Sequence, residues 1–465
     1  MPRIAWFTPL PPTRSGIAAY NAELLPLLTP RFAIDVFTTP MPPPTPRADA
    51  HPPVFSAFDF AWKHFRAPYD LVVYQLGNAA CHDFMWPHLF RHPGLVVLHD
   101  GHLHHSRART LLTSGRVADY QAEFLANHPE AHVDLTQLVI TDLADTIYYF
   151  WPMVRLVARS ARLVAVHAPC LAAELTREHG VEVSTIRHGM IDPVTEAAVR
   201  AATEVRRRHR IPEGSVLFAA FGLVTREKRI RSGLQALARL VADGTDAYLL
   251  LAGGTTGYYD AEGEARALGV HDRVRIAGYV ADEDLAPYVL AADVCLCLRW
   301  PTSRELSGTW IRAIAVGKPT VTTALAHTGD VPCLDPRTWR PRPAAFSDPA
   351  RGPRRGGSPS DASPVSVAID LLDEDESLRL AMSRLAADAS LRRDLGHAAR
   401  EYWSAHHTME CAVEDYEAAI QRALSRPAPH PRLPAHLVTD GTEQVRQMTG
   451  ALGVGVDFLR TDRRI

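Results

Sequence analysis

Apolar residues along this chain come in short continuous runs, and most runs are followed by a segment with helical spacing. Ile4 to Phe7, Ile34 to Thr38, Leu71 to Gln75, Leu95 to Leu98, Leu163 to Val166 and Val183 to Ile186 read as buried strands of a first half. Val216 to Phe221, Ala247 to Ala252, Val274 to Ala277 and Val294 to Leu298 do the same in a second half. Runs that are apolar on both faces and alternate with helices indicate parallel sheets covered on both sides. Between them, Ile17 to Leu28 sets Ile17, Tyr20, Leu24 and Leu27 or Leu28 on one helical face. Ala172 to His179, Ile230 to Val241 and a helix opening at Asp282 repeat the pattern. Arg107 to Phe150 reads as mostly helical and amphipathic, and Asp192 to Pro212 as an Arg-rich linking helix. Glu374 to Ala423 reads as three further helices.

The stretch from Arg299 to Thr323 carries the densest information. A strand ends at Leu298, a polar loop runs from Arg299 to Ser307, and Trp310, Ile311, Ile314 and Ala315 then recur at helical spacing. Ser307 suits an N-cap, Gly317 a C′ position, and Pro319 stops the helix before a strand starting at Val321. A loop and helix N-terminus at a strand's C-terminal end is where open α/β sheets bind phosphates. Glu305 hangs in that loop; an ordinary βα loop with a solvated glutamate is the bland alternative.

Length and composition set bounds. A chain of 465 residues suits two domains, and 46% hydrophobic with 22% charged residues is ordinary for a globular protein. A net charge of −2 leaves no nucleic-acid footprint. The six cysteines form no C-x-x-C pair, which fits reduced thiols and a cytoplasmic setting. No signal peptide is expected from MPRIAWFTPLPP, and no apolar run is long enough to span a membrane, so only peripheral membrane contact stays open. The Pro-rich segment from Pro40 to Pro53 reads as a loop, the segment from Leu334 to Pro364 as an irregular, disordered insertion, and the tail from Arg426 to Ile465 carries no readable motif.

The pattern Glu305-x-x-Gly308, a helix, then Ala315-x-Gly317-Lys318-Pro319 resembles the donor-binding signature of GT-B glycosyltransferases of family 4. The family's second Glu, which holds the nucleotide ribose, is Arg312 here, and the segment is one residue shorter. Gly222 to Arg229 resembles F-G-R-L-V-P-E-K-G, with Lys228 on the family's Lys, Leu223 on its Arg, and Arg226 within reach as a substitute cation. Val274 to Val280, with Tyr279, resembles the family's nucleobase region; Arg187 to Met190 resembles its P-H-G-V exit, with His188 a hinge residue. Gly16 and Glu23-Leu24 match its opening loop, although a tight turn explains Gly16 equally. The resemblance covers roughly residues 1 to 425. It implies an α/β fold of GT-B type: two Rossmann-like domains, 1–190 (acceptor side) and 191–425 (nucleotide-sugar side), facing across a cleft, with a last helix crossing back onto the first domain and a tail over 426–465.

The resemblance also implies site residues. His99 matches a histidine that contacts the transferred sugar, so His99, Lys228 and Glu305 are the expected catalytic set. Gly16, Arg226, Lys228, Tyr279, Glu305, Leu306, Ser307, Gly308 and Thr309 are expected to bind donor. Asp100, His102 and His105 stand on the acceptor side, Asp100 alternatively orienting His99. The His99 to His105 run is dense enough for zinc, but no Cys or Glu lies nearby. Asp282-Glu283-Asp284 and Asp373-Glu374-Asp375 read as acidic helix starts, so no metal and no cofactor are expected. The implied reaction is retaining, metal-independent hexosyl transfer from a nucleotide sugar to an unknown glycan, lipid or small molecule. A non-catalytic sugar-nucleotide-binding partner subunit is the alternative, motivated by Leu223 and Arg312; a GT-B epimerase is a third reading, which the Glu305 loop argues against. No G-x-S-x-G elbow supports a hydrolase triad.

Overall fold

The computed structural model describes residues 1–40, 52–143, 146–325, 328–342, 363–439 and 442–454. Two parallel sheets organise it, each of seven strands. The first runs β3-β2-β1-β4-β5-β6-β7, from β1 (Arg3–Phe7), β2 (Ala33–Thr38), β3 (Val54–Ser56), β4 (Leu71–Leu76), β5 (Leu95–Leu98), β6 (Leu163–Val166) and β7 (Val183–Thr185). The second runs β10-β9-β8-β11-β12-β14-β13, from β8 (Val216–Phe221), β9 (Ala247–Ala252), β10 (Val274–Gly278), β11 (Val294–Cys297), β12 (Thr320–Thr323), β13 (Cys333–Leu334) and β14 (Ser366–Ile369). In each, strand order reverses beside the first strand: β1 lies between β2 and β4, and β8 between β9 and β11. Open α/β sheets bind ligands in the crevice at that switch point.

The strands form because continuous apolar runs leave no solvent face. Ile4 to Phe7 and Leu95 to Leu98 are at most 1% exposed. Helices close both faces. The Gly16–Leu28 helix is capped by Ser15, whose side chain accepts from Ile17 N, and it lays Tyr20, Leu24 and Leu28 against Ile4, Trp6 and Val73. The segment from Arg107 to Phe150, read as mostly helical, holds four helices among the described residues, His104–Thr113, Val117–Asn127, Leu135–Ile140 and Ile147–Phe150, the first starting three residues earlier than expected. The C-terminal helices are Glu374–Ala387, Ala389–His406 and Met409–Leu424. The last returns to the first lobe, where Met409, Val413, Tyr416 and Ile420 join the core around Trp6. Leu433 and Leu437, in the tail, also pack on the first lobe, and His436 sits 2.8 Å from Glu123.

The expected irregular insertion is ordered at its start. Cys333–Leu334 is a strand, Leu334 bridges Pro341, and Trp339 packs on the second lobe's core. Residues 343–362 of that insertion, and 41–51 of the Pro-rich segment, lie outside the described residues. β3, the Phe60–Arg66 helix and the Ala261–Ala267 helix carry periodicity too short for pattern reading.

Where the chain passes between lobes, Arg187 is fixed on the returning helix. Its Nε and Nη2 donate to the Asp415 carboxylate at 2.7 and 2.8 Å, and its backbone N–H donates there at 2.8 Å. Replacing Asp415→Ala leaves the half-buried guanidinium with only the Cys411 carbonyl at 3.1 Å and the exposed Glu414 carboxylate at 3.4 Å. The unfolding free energy should fall by about 1–3 kcal/mol in denaturant titrations. A loss under about 0.5 kcal/mol would make this an ordinary exposed ion pair.

Candidate active site

The C-terminal ends of β4 and β5 face those of β8 and β11, and loops from the two lobes touch there. The Gly101 N–H donates to the Ser303 carbonyl at 2.7 Å, and Arg304 pairs with Glu174. A Cβ on Gly101 would lie 3.0 Å from the Arg304 Cβ, so glycine permits the close approach. The Arg14 guanidinium lies 4.4 Å from the Tyr279 ring centroid, again across the lobes.

In the second lobe, a pocket opens between β8, β11 and β12, lined by Phe221, Lys228, Arg299, Glu305, Leu306, Ser307 and Thr309 together with Cys297, Thr322 and Thr323. Lys228 reaches it from a 3₁₀ turn, Arg226–Lys228, and its Nζ donates to the Phe221 carbonyl. Burial, with the neighbouring Arg299 adding to it, lowers the Lys228 ammonium to about 7. Gly222 makes room: its φ is 79°, and a Cβ there would lie 2.6 Å from Lys228 Nζ. The Ser307 hydroxyl caps the Gly308–Ala315 helix, accepting from Trp310 N at 3.3 Å and bonding Thr309 Oγ1 at 2.9 Å. The first amides of that helix, Gly308 and Thr309, have no carbonyl partner within it, and open space surrounds a Cβ built on Gly308. Arg226 is exposed, with no ion-pair partner among the described residues.

Glu305 is held rather than solvated. Thr302 Oγ1 donates to it at 3.0 Å, and Arg299 Nε pairs with it at 2.8 Å. Arg299, whose backbone N–H bonds Thr323 Oγ1 at 3.1 Å, is a cleft cation that motif reading passed over. The signal was its position, the second residue past the end of β11.

The first-lobe residues divide. Asp100 faces the second lobe: Asn78 N donates to its Oδ2 at 2.6 Å, and burial, then the Glu305 carboxylate, push its carboxyl up to about 7. His105 stacks on Tyr148 at 4.3 Å, and His102 lies 6.4 Å from the Tyr149 ring. His104 points elsewhere, with Nε2 2.7 Å from the Tyr120 hydroxyl. The histidine run therefore does not converge, and among the described residues no three His, Cys, Asp or Glu are grouped to hold a metal. His99 turns into its own lobe: Nε2 lies 2.7 Å from Gln75 Oε1 and Nδ1 3.1 Å from His167 Nε2. A donor sugar reaches a His99 nitrogen only if one of these bonds is released. Gly16 begins its helix without a positive φ, and a Cβ there meets nothing within 4 Å, so turn geometry does not require glycine. Arg312 contacts Asp282 Oδ1 at 3.5 Å, not the pocket.

Asp100 supplies a pH test. Its folded value lies above the ordinary 3.8, so the fold keeps the proton after the unfolded chain has lost it. Its contribution to stability is present below about pH 4 and lost as pH rises through about 7. Asp100→Asn should therefore gain on the wild type in denaturant titrations between pH 5 and pH 8. A difference independent of pH would contradict the buried carboxyl.

Residues 215–333 match the family model for glycosyl transferases group 1. A 2-deoxystreptamine glucosyltransferase from Streptomyces kanamyceticus is 28% identical over 153 residues, 33% of this chain and 39% of that enzyme, so the match spans well under half of the relative's length. Sucrose-phosphate synthase from Thermosynechococcus elongatus superposes with a TM-score of 0.60 at 18% identity, over 91% of this chain and 99% of that one. Anabaena HepE in complex with UDP and glucose does so at 0.55 and 13% identity, over 90% and 100%. The protein accordingly has a GT-B fold, and its second lobe carries the match to glycosyl transferases group 1.

Proposed function

We propose that the protein is a glycosyltransferase that moves a hexosyl group from a nucleoside-diphosphate sugar to an acceptor hydroxyl, with retention and without a metal ion. The observation that carries this reading is Lys228: a partly buried amine, held by one carbonyl, beside a helix N-terminus and the Arg299 guanidinium. Such a site has a large electrostatic deficit that an oligoanion fills. A diphosphate placed against the Gly308 and Thr309 amides meets Lys228, and Arg226 covers the outer phosphate. Cations in this number do the work a divalent ion would do on the leaving group.

In the reaction, the bond from the anomeric carbon to the phosphate oxygen breaks and that from the anomeric carbon to the acceptor oxygen forms on the same face. The acceptor proton passes to the departing phosphate oxygen. Glu305, fixed by Thr302 and Arg299, accepts from sugar hydroxyls. Tyr279 offers a ring face toward the nucleobase side, and Asp100, His102 and His105 line the acceptor side. His99, of the expected catalytic set, acts from behind Asp100 unless its internal bonds are released. The 2-deoxystreptamine enzyme's name points to a glucosyl donor and an amino-alcohol acceptor, and a thermal-shift screen of nucleotide sugars is the way to choose among donors. A non-catalytic sugar-nucleotide-binding role remains the second reading, favoured by Leu223, which is 52% exposed, where the resemblance has an arginine.

Lys228→Ala and Glu305→Ala should each lower turnover by at least about 100-fold while keeping the fold; full activity in both refutes these roles. A second test is calorimetric. At pH 8 free Lys228 is mostly neutral, and a bound diphosphate raises its proton affinity, so nucleoside diphosphate binding takes up a proton. Titrations in buffers of different ionisation enthalpy should show that uptake, and Lys228→Met should lose it. Equal apparent enthalpies for the wild type would place the anion elsewhere.

A further inference from the structure

The side chains behind Asp100 form a chain of hydrogen bonds that crosses the first lobe. His167 Nδ1 lies 2.9 Å from the Ile186 carbonyl, His167 Nε2 3.1 Å from His99 Nδ1, and His99 Nε2 2.7 Å from Gln75 Oε1, which the Tyr416 hydroxyl also approaches at 3.1 Å. Gln75 and Tyr416 are 0% exposed, His167 6% and His99 9%. Tyr416 belongs to the helix that returns from the second lobe.

Proton counting decides how these groups are arranged. A carbonyl only accepts, so His167 carries its proton on Nδ1 and accepts through Nε2. His99 must then donate from Nδ1, which leaves its Nε2 as a bare acceptor when the ring is neutral. An amide oxygen opposite that nitrogen would put two acceptors 2.7 Å apart. Adding a proton would repair the contact, but it would charge a buried ring with His167 and His188 beside it, and neither His99 nor His167 hydrogen-bonds a carboxylate; burial keeps both rings below the ordinary histidine value. Turning the Gln75 amide over repairs it without charge. The amide's nitrogen, which in the opposite orientation is buried without an acceptor, then faces both His99 Nε2 and the Tyr416 oxygen. Oxygen and nitrogen of an amide have nearly the same shape, so the network assigns them.

We propose that Gln75 and His167 are positioning residues for the active site: the Gln75 side-chain N–H donates to His99 Nε2, and together they hold His99 as the Nδ1–H tautomer. This locks the end of β5, and so sets Asp100 toward the cleft. It also ties that strand end to the returning helix through Tyr416. The positioning role rests on the proposed transferase reading; the tautomer does not.

The test is nitrogen-15 NMR of the full chain labelled at histidine, with His99 and His167 assigned by His99→Phe and His167→Phe. Wild-type His99 should show a protonated Nδ1 and a bare Nε2 from pH 6 to 8. An Nε2–H tautomer, or an imidazolium, would overturn the proposal. Gln75→Glu supplies only acceptors where its carboxyl is ionised, which the carbon-13 shift of that carboxyl reports, and there it should abolish the bare Nε2 signal of His99; persistence of that signal beside an ionised carboxylate would likewise overturn it. If Gln75→Glu does not fold, Tyr416→Phe leaves the first donor in place and should keep the Nδ1–H tautomer; its loss counts against Gln75 as the donor. With a donor identified, Gln75→Glu should lower kcat by roughly 10–100-fold with nucleotide affinity unchanged. Unchanged kcat with the altered tautomer would remove the positioning role. The expected tautomer in a protein that turns over no nucleotide sugar would instead remove the transferase reading and leave the network standing.

Discussion

An amine partly buried at the wall of a pocket and answered by a single carbonyl is an unfinished interaction. Lys228 pays the desolvation cost without a carboxylate bonded to it, and the surrounding geometry keeps it there. Gly222, at a positive φ, leaves the space its Nζ occupies. Phe221, at the end of β8, offers the carbonyl, and the Gly308–Ala315 helix points its free amides at the same space. A site that sets Lys228 beside the free amides of a helix N-terminus is preorganised for an anion that arrives or departs.

The second constraint is that one loop serves both lobes. Residues 299–307 hold Glu305 through Arg299 and Thr302, end in the helix cap Ser307, and also touch the first lobe through Ser303 and Arg304. Donor contacts and lobe contacts are therefore made by adjacent residues of one short segment. Asp100 registers this arrangement: it lies close enough to Glu305 for the two carboxylates to resist sharing negative charge. The returning helix completes the frame, because Tyr416 joins the core of the first lobe while Asp415 holds Arg187 at the passage between lobes.

Much of this was legible in the residues. Continuous apolar runs give both sheets, since a parallel strand buried on both faces writes its length directly into composition. Ser307, Gly317 and Pro319 mark the ends of the key helix because capping is local chemistry; Gly317 indeed takes a φ of 73°. Lys228, Glu305 and Ser307 to Thr309 were placed by motif spacing, and the fold brings them together. What was not legible depends on distant partners. His99 reads as a cleft residue because it follows a strand end, but which way its ring turns is set by Gln75, 24 residues away, and His167, 68 away. Arg299 has no local pattern to separate it from any loop arginine. The short β13 is invisible because its pairing with β14 crosses the segment 343–362, and two residues carry no periodicity.

An anion seated between Lys228 and the amides of Gly308 and Thr309 is the centre of the proposed site. Hydrogen–deuterium exchange of the full chain with and without UDP or ADP tests that seat most directly. It predicts slowed exchange confined to residues 222–229 and 299–310, absent with the nucleoside alone. Binding that leaves both segments unprotected, or protects only surfaces outside the cleft, would contradict it.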